Sequence, residues 1–173
     1  MLTSLSINNF ALIDKLGIDF SDGFSIITGE TGAGKSILLG ALGLVLGKRA
    51  DLTSLKNKDE KCIIEAHFQI SNYNLKSFFE ANDLDYEAET IIRREILPSG
   101  KSRAFINDTP TTIQTLQLLS EKLIDVHSQY QTVQLSDGNF QFYIIDALAS
   151  NSAKIESYKR GLVVFNKLTK ELK

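Results

Sequence analysis

Alternating apolar and polar residues predict an antiparallel β-layer in this chain. The side chains of a strand point to opposite faces in turn, so a strand with one buried face is apolar at every second position. The segments with this alternation are Met1–Ile7, Leu16–Phe20, Cys62–Ile70, Thr90–Leu97 and Ser102–Ile106. We expect Asn8 and Asn9 to turn the chain after the first strand, and Pro98-Ser99-Gly100-Lys101 to close a hairpin between the last two.

A different pattern predicts a buried strand that leads into a buried helix. Phe24–Thr28 is short and almost entirely apolar, which is typical of a central strand. A glycine-rich stretch follows, and then a predicted helix from Lys35 to Leu46, closed by Gly47. Because this helix is apolar on nearly every side, we expect it to be buried. The pattern predicts an α/β fold with a mixed central sheet around this helix, flanked by the antiparallel β-layer.

The remaining segments are predicted to be mainly helical. Helices are expected at Leu75–Leu84, Thr111–Leu123 and Phe140–Leu148, with a short strand at Leu123–Val126. In the last segment, six positions spaced three and four residues apart are mostly apolar: Ile155, Tyr158, Leu162, Phe165, Thr169 and Leu172. This spacing fits the start of a coiled coil, and it equally fits an amphipathic helix that packs on its own domain.

Composition narrows the class of protein. The 173 residues are 43% hydrophobic and include two prolines, which suits a packed domain rather than a disordered tail. The net charge of −2 gives no overall footprint for nucleic acid. One cysteine, Cys62, excludes an internal disulfide, and no Cys/His cluster has zinc-site spacing. We see no secretory signal, and the apolar run Ile37–Leu46 is too short to span a bilayer, so we expect a cytoplasmic protein without a membrane partner.

The glycine-rich stretch matches the P-loop pattern G-x-x-x-x-G-K-[ST] at every position. Its residues are Gly29, Glu30, Thr31, Gly32, Ala33, Gly34, Lys35 and Ser36. Glycines let main-chain N–H groups approach phosphate oxygens, and the N-terminus of the following helix favours negative charge. We expect Lys35 to reach the β- and γ-phosphates and the Ser36 hydroxyl to ligate Mg²⁺. The pattern therefore predicts an ATP–Mg²⁺ site in a P-loop NTPase.

A P-loop alone does not distinguish ATPases, GTPases and small-molecule kinases, but the flanking residues narrow the choice. The informative strings are Ile7–Asp14, Ile27–Ile37, Leu46–Asp51, Ser102–Asn107 and Leu123–Gln129. Together they cover about residues 2–150 in order, and they resemble the SMC-like ABC ATPase family of bacterial DNA repair. The chain departs from that family at Ser128-Gln129-Tyr130, where the family more often has Gly-Gln-His.

The resemblance implies an ABC-type ATPase head that is split along the sequence. Residues 1–150 would be its N-terminal lobe, and residues 151–173 the root of a coiled-coil helix. A C-terminal lobe of the same protein would supply the signature motif, the Walker B acid and the catalytic glutamate. Gln129 would act with Lys35 in catalysis, contacting Mg²⁺ and the attacking water. The further nucleotide-binding residues implied are Asn9, Phe10 and Ala11, near the base, and Ile37.

The resemblance also implies a function in the recombinational repair of DNA double-strand breaks. The expected partners are DNA, a second head in a homodimer and a RecA-type recombinase, and the expected location is nucleoid-associated. The full-length protein would hydrolyse ATP, whereas this chain alone is expected to be inactive. One alternative is a self-contained P-loop small-molecule kinase, which would need an arginine-bearing lid and an acceptor site. Another is a structural dimerisation module with a vestigial P-loop.

The role of several other polar residues stays open. Asp146 follows an apolar run, as a Walker B aspartate does, but the run fits a helix. His127 could approach the γ-phosphate or serve as a hydrogen-bonded loop residue. Arg93 and Arg94 form a basic pair on a hairpin expected to be exposed, where they either contact DNA or stay solvated. Arg103 either contacts DNA or faces solvent.

Overall fold

The structure is a computed structural model that describes residues 1–28, 34–50, 54–126 and 138–171. The chain divides into two compact units, one from Met1 to Asp125 and one that begins at Val126. The first unit combines a β-sheet with helices, and the second is helical in its described part. The phosphate-binding motif belongs to the first unit.

A six-stranded antiparallel sheet forms the framework of the first unit. The strands are β1 (Leu2–Phe10), β2 (Ile13–Asp19), β3 (Cys62–Gln69), β4 (Glu89–Ile96), β5 (Ser102–Ile106) and β6 (Thr109–Thr111). They lie in the order β2-β1-β3-β4-β5-β6. The predicted antiparallel layer is therefore present, with β6 as an additional edge strand. The predicted turn at Asn8 and Asn9 is wrong, because β1 continues through both residues to Phe10 and pairs Asn8 with Lys15 and Ile63.

The described helices confirm most of the predicted helical segments. They are α1 (Gly34–Val45), α2 (Lys76–Ala81), α3 (Ile113–Leu123), α4 (Gly138–Leu148) and α5 (Ser152–Glu171). Thr112 caps α3, because its side-chain hydroxyl accepts a hydrogen bond from the Thr115 N–H at 3.1 Å. The short strand expected at Leu123–Val126 is wrong. The Ile124 N–H instead donates to the Ser120 carbonyl at 3.1 Å and so completes the last turn of α3.

One face of the sheet packs against α1 and α3 to form the core. Alternate residues of the strands are buried on this face, as the two-residue period requires. The register places Ile7 beside Ile64 and Leu5 beside Ala66, so the buried rows of neighbouring strands align. The helices contribute Ala41, Leu44 and Val45 from α1 and Leu116, Leu119 and Leu123 from α3. Each fully buried aliphatic side chain contributes about 1.5–3 kcal/mol, so this layer dominates the stability of the unit.

The end of α1 is fixed to α3. Gly47 follows the helix with a φ of +96°, a conformation that favours glycine, and its carbonyl accepts a 2.8 Å hydrogen bond from Gln117 Nε2. A β-carbon at Gly47 would lie 2.5 Å from Gln117 Cγ, so the contact admits no side chain. The C-terminal half of α1 is therefore held from two sides, by the sheet and by α3.

The prediction of a buried central strand at Phe24–Thr28 is wrong. The described residues of this segment form no strand, and Phe24 and Ile26 are 89% and 71% exposed. Helix α1 is also less enclosed than expected, since Leu39 is 49% exposed. A strand needs a hydrogen-bonded neighbour, and no described segment pairs with this one. The apolar composition of the segment thus finds no cover among the described residues.

The basic pair on β4 is divided between the two faces of the sheet. Arg93 lies on the open face, where it pairs with Asp108 at 2.9 Å and stacks 4.6 Å from the Phe105 ring centroid. Arg94 is only 2% exposed, so the expectation of an exposed pair is wrong for this residue. Its Nη2 donates to Ser102 Oγ at 3.2 Å, and burial lowers the pKa of its guanidinium. Successive strand residues face opposite sides, so two adjacent arginines cannot share one surface here.

The second unit contains α4 and α5. Asn151 closes α4, because its Nδ2 donates to Asp146 Oδ1 at 3.2 Å and its N–H to the Asp146 carbonyl at 3.0 Å. Asp146 therefore lies in a helix, as expected, and not at the end of a Walker B strand. Tyr158 and Phe165 of α5 are 68% and 65% exposed. Within the described part of the chain, no helix combines the length and apolar character needed to cross a membrane.

The exposure of the 24–28 segment predicts how it tolerates substitution. In this chain Phe24→Ala should lower the free energy of unfolding by no more than about 0.5 kcal/mol, because the ring buries little surface. Phe68→Ala is the matched control, and it should lower that free energy by about 3–5 kcal/mol, because Phe68 is fully buried in β3. Urea unfolding followed by circular dichroism measures both. Equal losses for the two variants would contradict the exposure of this segment.

Candidate nucleotide-binding site

The first turn of α1 presents the described part of the P-loop. Gly34, Lys35 and Ser36 are exposed there, and the turn carries no acidic residue. A β-carbon at Gly34 would meet no atom of the described structure within 4 Å, so space is open beside the main chain. The first N–H groups of a helix lack intrahelical partners and carry partial positive charge. An exposed helix N-terminus with a lysine and no carboxylate is suited to bind an anion.

Several predicted site residues lie outside the described residues. They are Gly29, Glu30, Thr31, Gly32 and Ala33 of the P-loop, together with Gln129 and His127. Their predicted roles stay predictions. Ile37 is described, half-buried and packed against the edge of the core.

An apolar groove adjoins the phosphate-binding turn. It has a volume of about 360 Å³. Leu5 and Ile18 line it from the sheet, Leu39 and Leu42 from α1, and Ile27 from the exposed segment. Among its described lining residues Lys35 alone is charged. A triphosphate needs polar partners for each oxygen, so this groove suits apolar protein side chains rather than the phosphates themselves.

Asn9, Phe10 and Ala11, predicted near the base, lie at the junction of β1 with the segment that follows α1. The Asn9 side chain makes three hydrogen bonds to the main chain of this segment, and Asn9 itself is 7% exposed. The Phe10 ring is 6% exposed, and its Cζ would lie 3.6 Å from a β-carbon at Gly40 of α1. The Ala11 N–H donates to the Ser54 carbonyl at 2.6 Å. Contact with a base stays a prediction for all three residues.

The donor groups near α1 fit Mg²⁺ held mainly through phosphate. The described residues contain no group of three or more His, Cys, Asp and Glu side chains that could hold a metal ion by themselves. Mg²⁺ keeps several waters and binds through one or two protein ligands plus substrate phosphates, so a lone Ser36 hydroxyl fits that chemistry.

Cys62 offers no nucleophile, because it is fully buried and burial raises the pKa of its thiol to about 11.

Comparison with known sequences identifies a family for this chain. Residues 4–173 match the AAA domain family. DNA repair protein RecN of Vibrio cholerae is 38% identical over 174 residues, which cover all of this chain and 31% of the relative. The chain thus spans about a third of the length of this curated relative.

Solved structures show the same fold. One of them is a structure of SMC ATPases, studied for ATP-driven dimerization and DNA stimulated activation. It superposes with a TM-score of 0.60 at 20% sequence identity, and the match covers 85% of this chain and 98% of that chain. The Smc head domain of Pyrococcus yayanosii, with a coiled coil and joint, gives a TM-score of 0.59 at 20% identity, over 98% of this chain and 38% of its own. At these identities the likeness concerns the fold.

These matches confirm the resemblance and the fold class. They do not bear on the role of any single residue. From residue 4 to residue 173 the chain belongs to the AAA domain family, with the fold of an SMC-type ATPase head.

Proposed function

We propose that this chain binds ATP–Mg²⁺ at the first turn of α1, as the N-terminal lobe of an SMC-like ATPase head that acts in DNA repair. The observation that carries the proposal is the exposed, acid-free N-terminus of α1, which bears Gly34, Lys35 and Ser36. The sequence places the complete P-loop at this point. Similarity to a DNA repair protein along the whole chain supports the biological setting.

Each part of the turn has its own role in binding the triphosphate. The P-loop pattern from Gly29 to Gly34 predicts main-chain N–H groups for the β-phosphate, and the partial charge of α1 would add to their attraction. Lys35 reaches the β- and γ-phosphates with a full positive charge. The Ser36 hydroxyl would hold Mg²⁺, and the ion would supply positive charge against the phosphate oxygens. Asn9 to Ala11 lie near the base, and Gln129 orients the attacking water.

Hydrolysis in this proposal needs the C-terminal lobe of the same protein. A Walker B acid follows an apolar strand, whereas the apolar run that ends at Asp146 is helical here. The apolar groove and the exposed side chains of Phe24 and Ile26 form a surface that the proposed C-terminal lobe would cover. In such a head the lobe would add strands beside residues 24–28 and bring the acid and the catalytic glutamate to the γ-phosphate.

The long helix α5 supports the proposed domain organisation. Residues 1–150 form the lobe and residues 151–173 begin the coiled coil. Tyr158, Leu162 and Phe165 follow the heptad spacing and are 68%, 42% and 65% exposed, so they are available to a partner helix. The related Smc head that covers nearly all of this chain carries a coiled coil.

The other proposed partners are a second head, DNA and a recombinase. A second head would close over the nucleotide in a homodimer, as an SMC ATPase structure studied for ATP-driven dimerization suggests. DNA would be a partner, since the relative is named a DNA repair protein. The family resemblance further implies a RecA-type recombinase as a partner, in recombinational repair of double-strand breaks at the nucleoid in the cytoplasm.

Removing the P-loop lysine should abolish tight nucleotide binding without unfolding the chain. Lys35→Ala should weaken ATP–Mg²⁺ binding at least about 100-fold, because a full charge beside the γ-phosphate is lost. Its unfolding transition should stay unchanged within about 0.5 kcal/mol, since the side chain is exposed. Isothermal titration calorimetry measures the affinity. The control is Lys15→Ala, an exposed lysine on β2, which should bind as the unmodified chain does. Retained affinity in Lys35→Ala would contradict the site.

The dependence on a second lobe can be tested by complementation. The chain alone should bind ATP–Mg²⁺ yet hydrolyse it at least about 100-fold more slowly than when mixed with a polypeptide that carries the C-terminal lobe. Ile27→Gln places an uncharged polar group in the apolar groove and should block this gain while nucleotide binding persists. Leu118→Gln, at a similarly exposed position on α3, is the control and should allow the gain. Full hydrolysis by the chain alone would refute the need for the lobe.

A further inference from the structure

Asn9 makes an unusually complete set of hydrogen bonds for a residue at the end of a strand. Its φ is +54°, in the left-handed region that asparagine tolerates better than most residues. Its Oδ1 accepts the Asn57 N–H at 2.7 Å, and its Nδ2 donates to the carbonyls of Asn57 and Glu60, both at 2.9 Å. The side chain thus binds the main chain of the segment 54–60 much as a neighbouring strand would. Both polar ends of the amide are occupied within the protein.

The residues next to Asn9 carry this attachment to α1. Phe10 forms an isolated antiparallel bridge with Leu55, and both side chains are 6% exposed. The Phe10 ring then packs over Gly40, in the exposed half of α1. Gly40 lies five residues after Lys35, a distance of about 7.5 Å along the helix axis. The core holds the C-terminal half of α1, so Phe10 is a contact that reaches towards its phosphate-binding end.

We propose that Asn9 is a positioning residue for the phosphate-binding turn, acting through Phe10 and α1 rather than by touching the nucleotide. By fixing the segment 54–60, Asn9 sets where Phe10 lies, and Phe10 sets the tilt of the N-terminal half of α1. This inference rests on the proposed nucleotide site. In this proposal the Asn9 amide does not contact the base, and its effect on binding is the same for every base.

Asn107 provides a matched control on the same sheet. Its φ is +48°, its Oδ1 accepts the Ile91 N–H at 2.8 Å, and its Nδ2 donates to the Asp85 carbonyl at 2.9 Å. It lies between β5 and β6, and these two partners belong to β4 and to the segment before β4. Glycine adopts positive φ without strain, so an Asn→Gly change at either site removes the side-chain bonds and leaves the main chain relaxed.

The experiment compares Asn9→Gly with Asn107→Gly in the intact chain. Isothermal titration calorimetry with Mg²⁺ measures the affinity of each for ATP, GTP and inorganic tripolyphosphate. We expect Asn9→Gly to weaken all three ligands by the same factor, on the order of tenfold, because the altered element is the phosphate-binding turn. Asn107→Gly should lose similar stability in urea unfolding and bind all three ligands as the unmodified chain does.

The outcomes separate the possible roles. A loss for ATP alone, with tripolyphosphate unaffected, would show a base contact and overturn the inference. Unchanged affinities in Asn9→Gly, or equal losses of affinity in Asn9→Gly and Asn107→Gly, would show that Asn9 contributes only to the stability of the fold. Either result would also overturn the inference. An unmodified chain that binds none of the ligands would instead refute the proposed function itself. If Asn9→Gly does not fold, Phe10→Leu tests the same path, because it keeps the hydrogen bonds of the Asn9 side chain and removes the ring that packs on Gly40.

Discussion

The packing of the C-terminal half of α1 on the sheet is the interaction on which the candidate site depends. Ala41, Leu44 and Val45 are buried against the aligned rows of β1, β3 and β4, and Gly47 is fixed to α3. Burial on this scale is worth several kcal/mol, enough to hold a helix without help from its first turn. The opposite end of the helix can therefore expose its N–H groups, Lys35 and Ser36 to a ligand. The helix is anchored at one end and available at the other.

Apolar surface is exposed beside the phosphate-binding end of α1. The apolar groove beside Lys35 lies between the sheet, α1 and Ile27, and Phe24 and Ile26 of the same segment as Ile27 are exposed. Exposed apolar surface of this kind marks a site of association in a soluble protein. The proposed second lobe would bury it and bring catalytic acids to the nucleotide. Binding and hydrolysis would then depend on different parts of the head.

The strands and the P-loop could be predicted from the sequence because each has a short-range signature. Alternation identifies β3 and β4 wherever one face is buried, and glycine spacing identifies the loop. Phe24–Thr28 has the composition of a central strand, but pairing depends on a neighbour that local pattern does not reveal. Arg94 shows the same limit, since charge suggests the surface while the strand period directs it inward. The attachment of Asn9 to residues 54–60 joins segments 48 positions apart, and only the positive φ tendency of asparagine hinted at it.

The central claim is that main-chain N–H groups at the start of α1 bind the phosphates of ATP–Mg²⁺. Hydrogen–deuterium exchange of the chain, free and saturated with ATP–Mg²⁺, tests this directly, because bound N–H groups exchange slowly. The account predicts that exchange slows at least about tenfold across residues 29–37 at saturation, while the exchange of α5 stays unchanged. Nucleotide binding with no protection of residues 29–37, or with protection centred elsewhere, would contradict it.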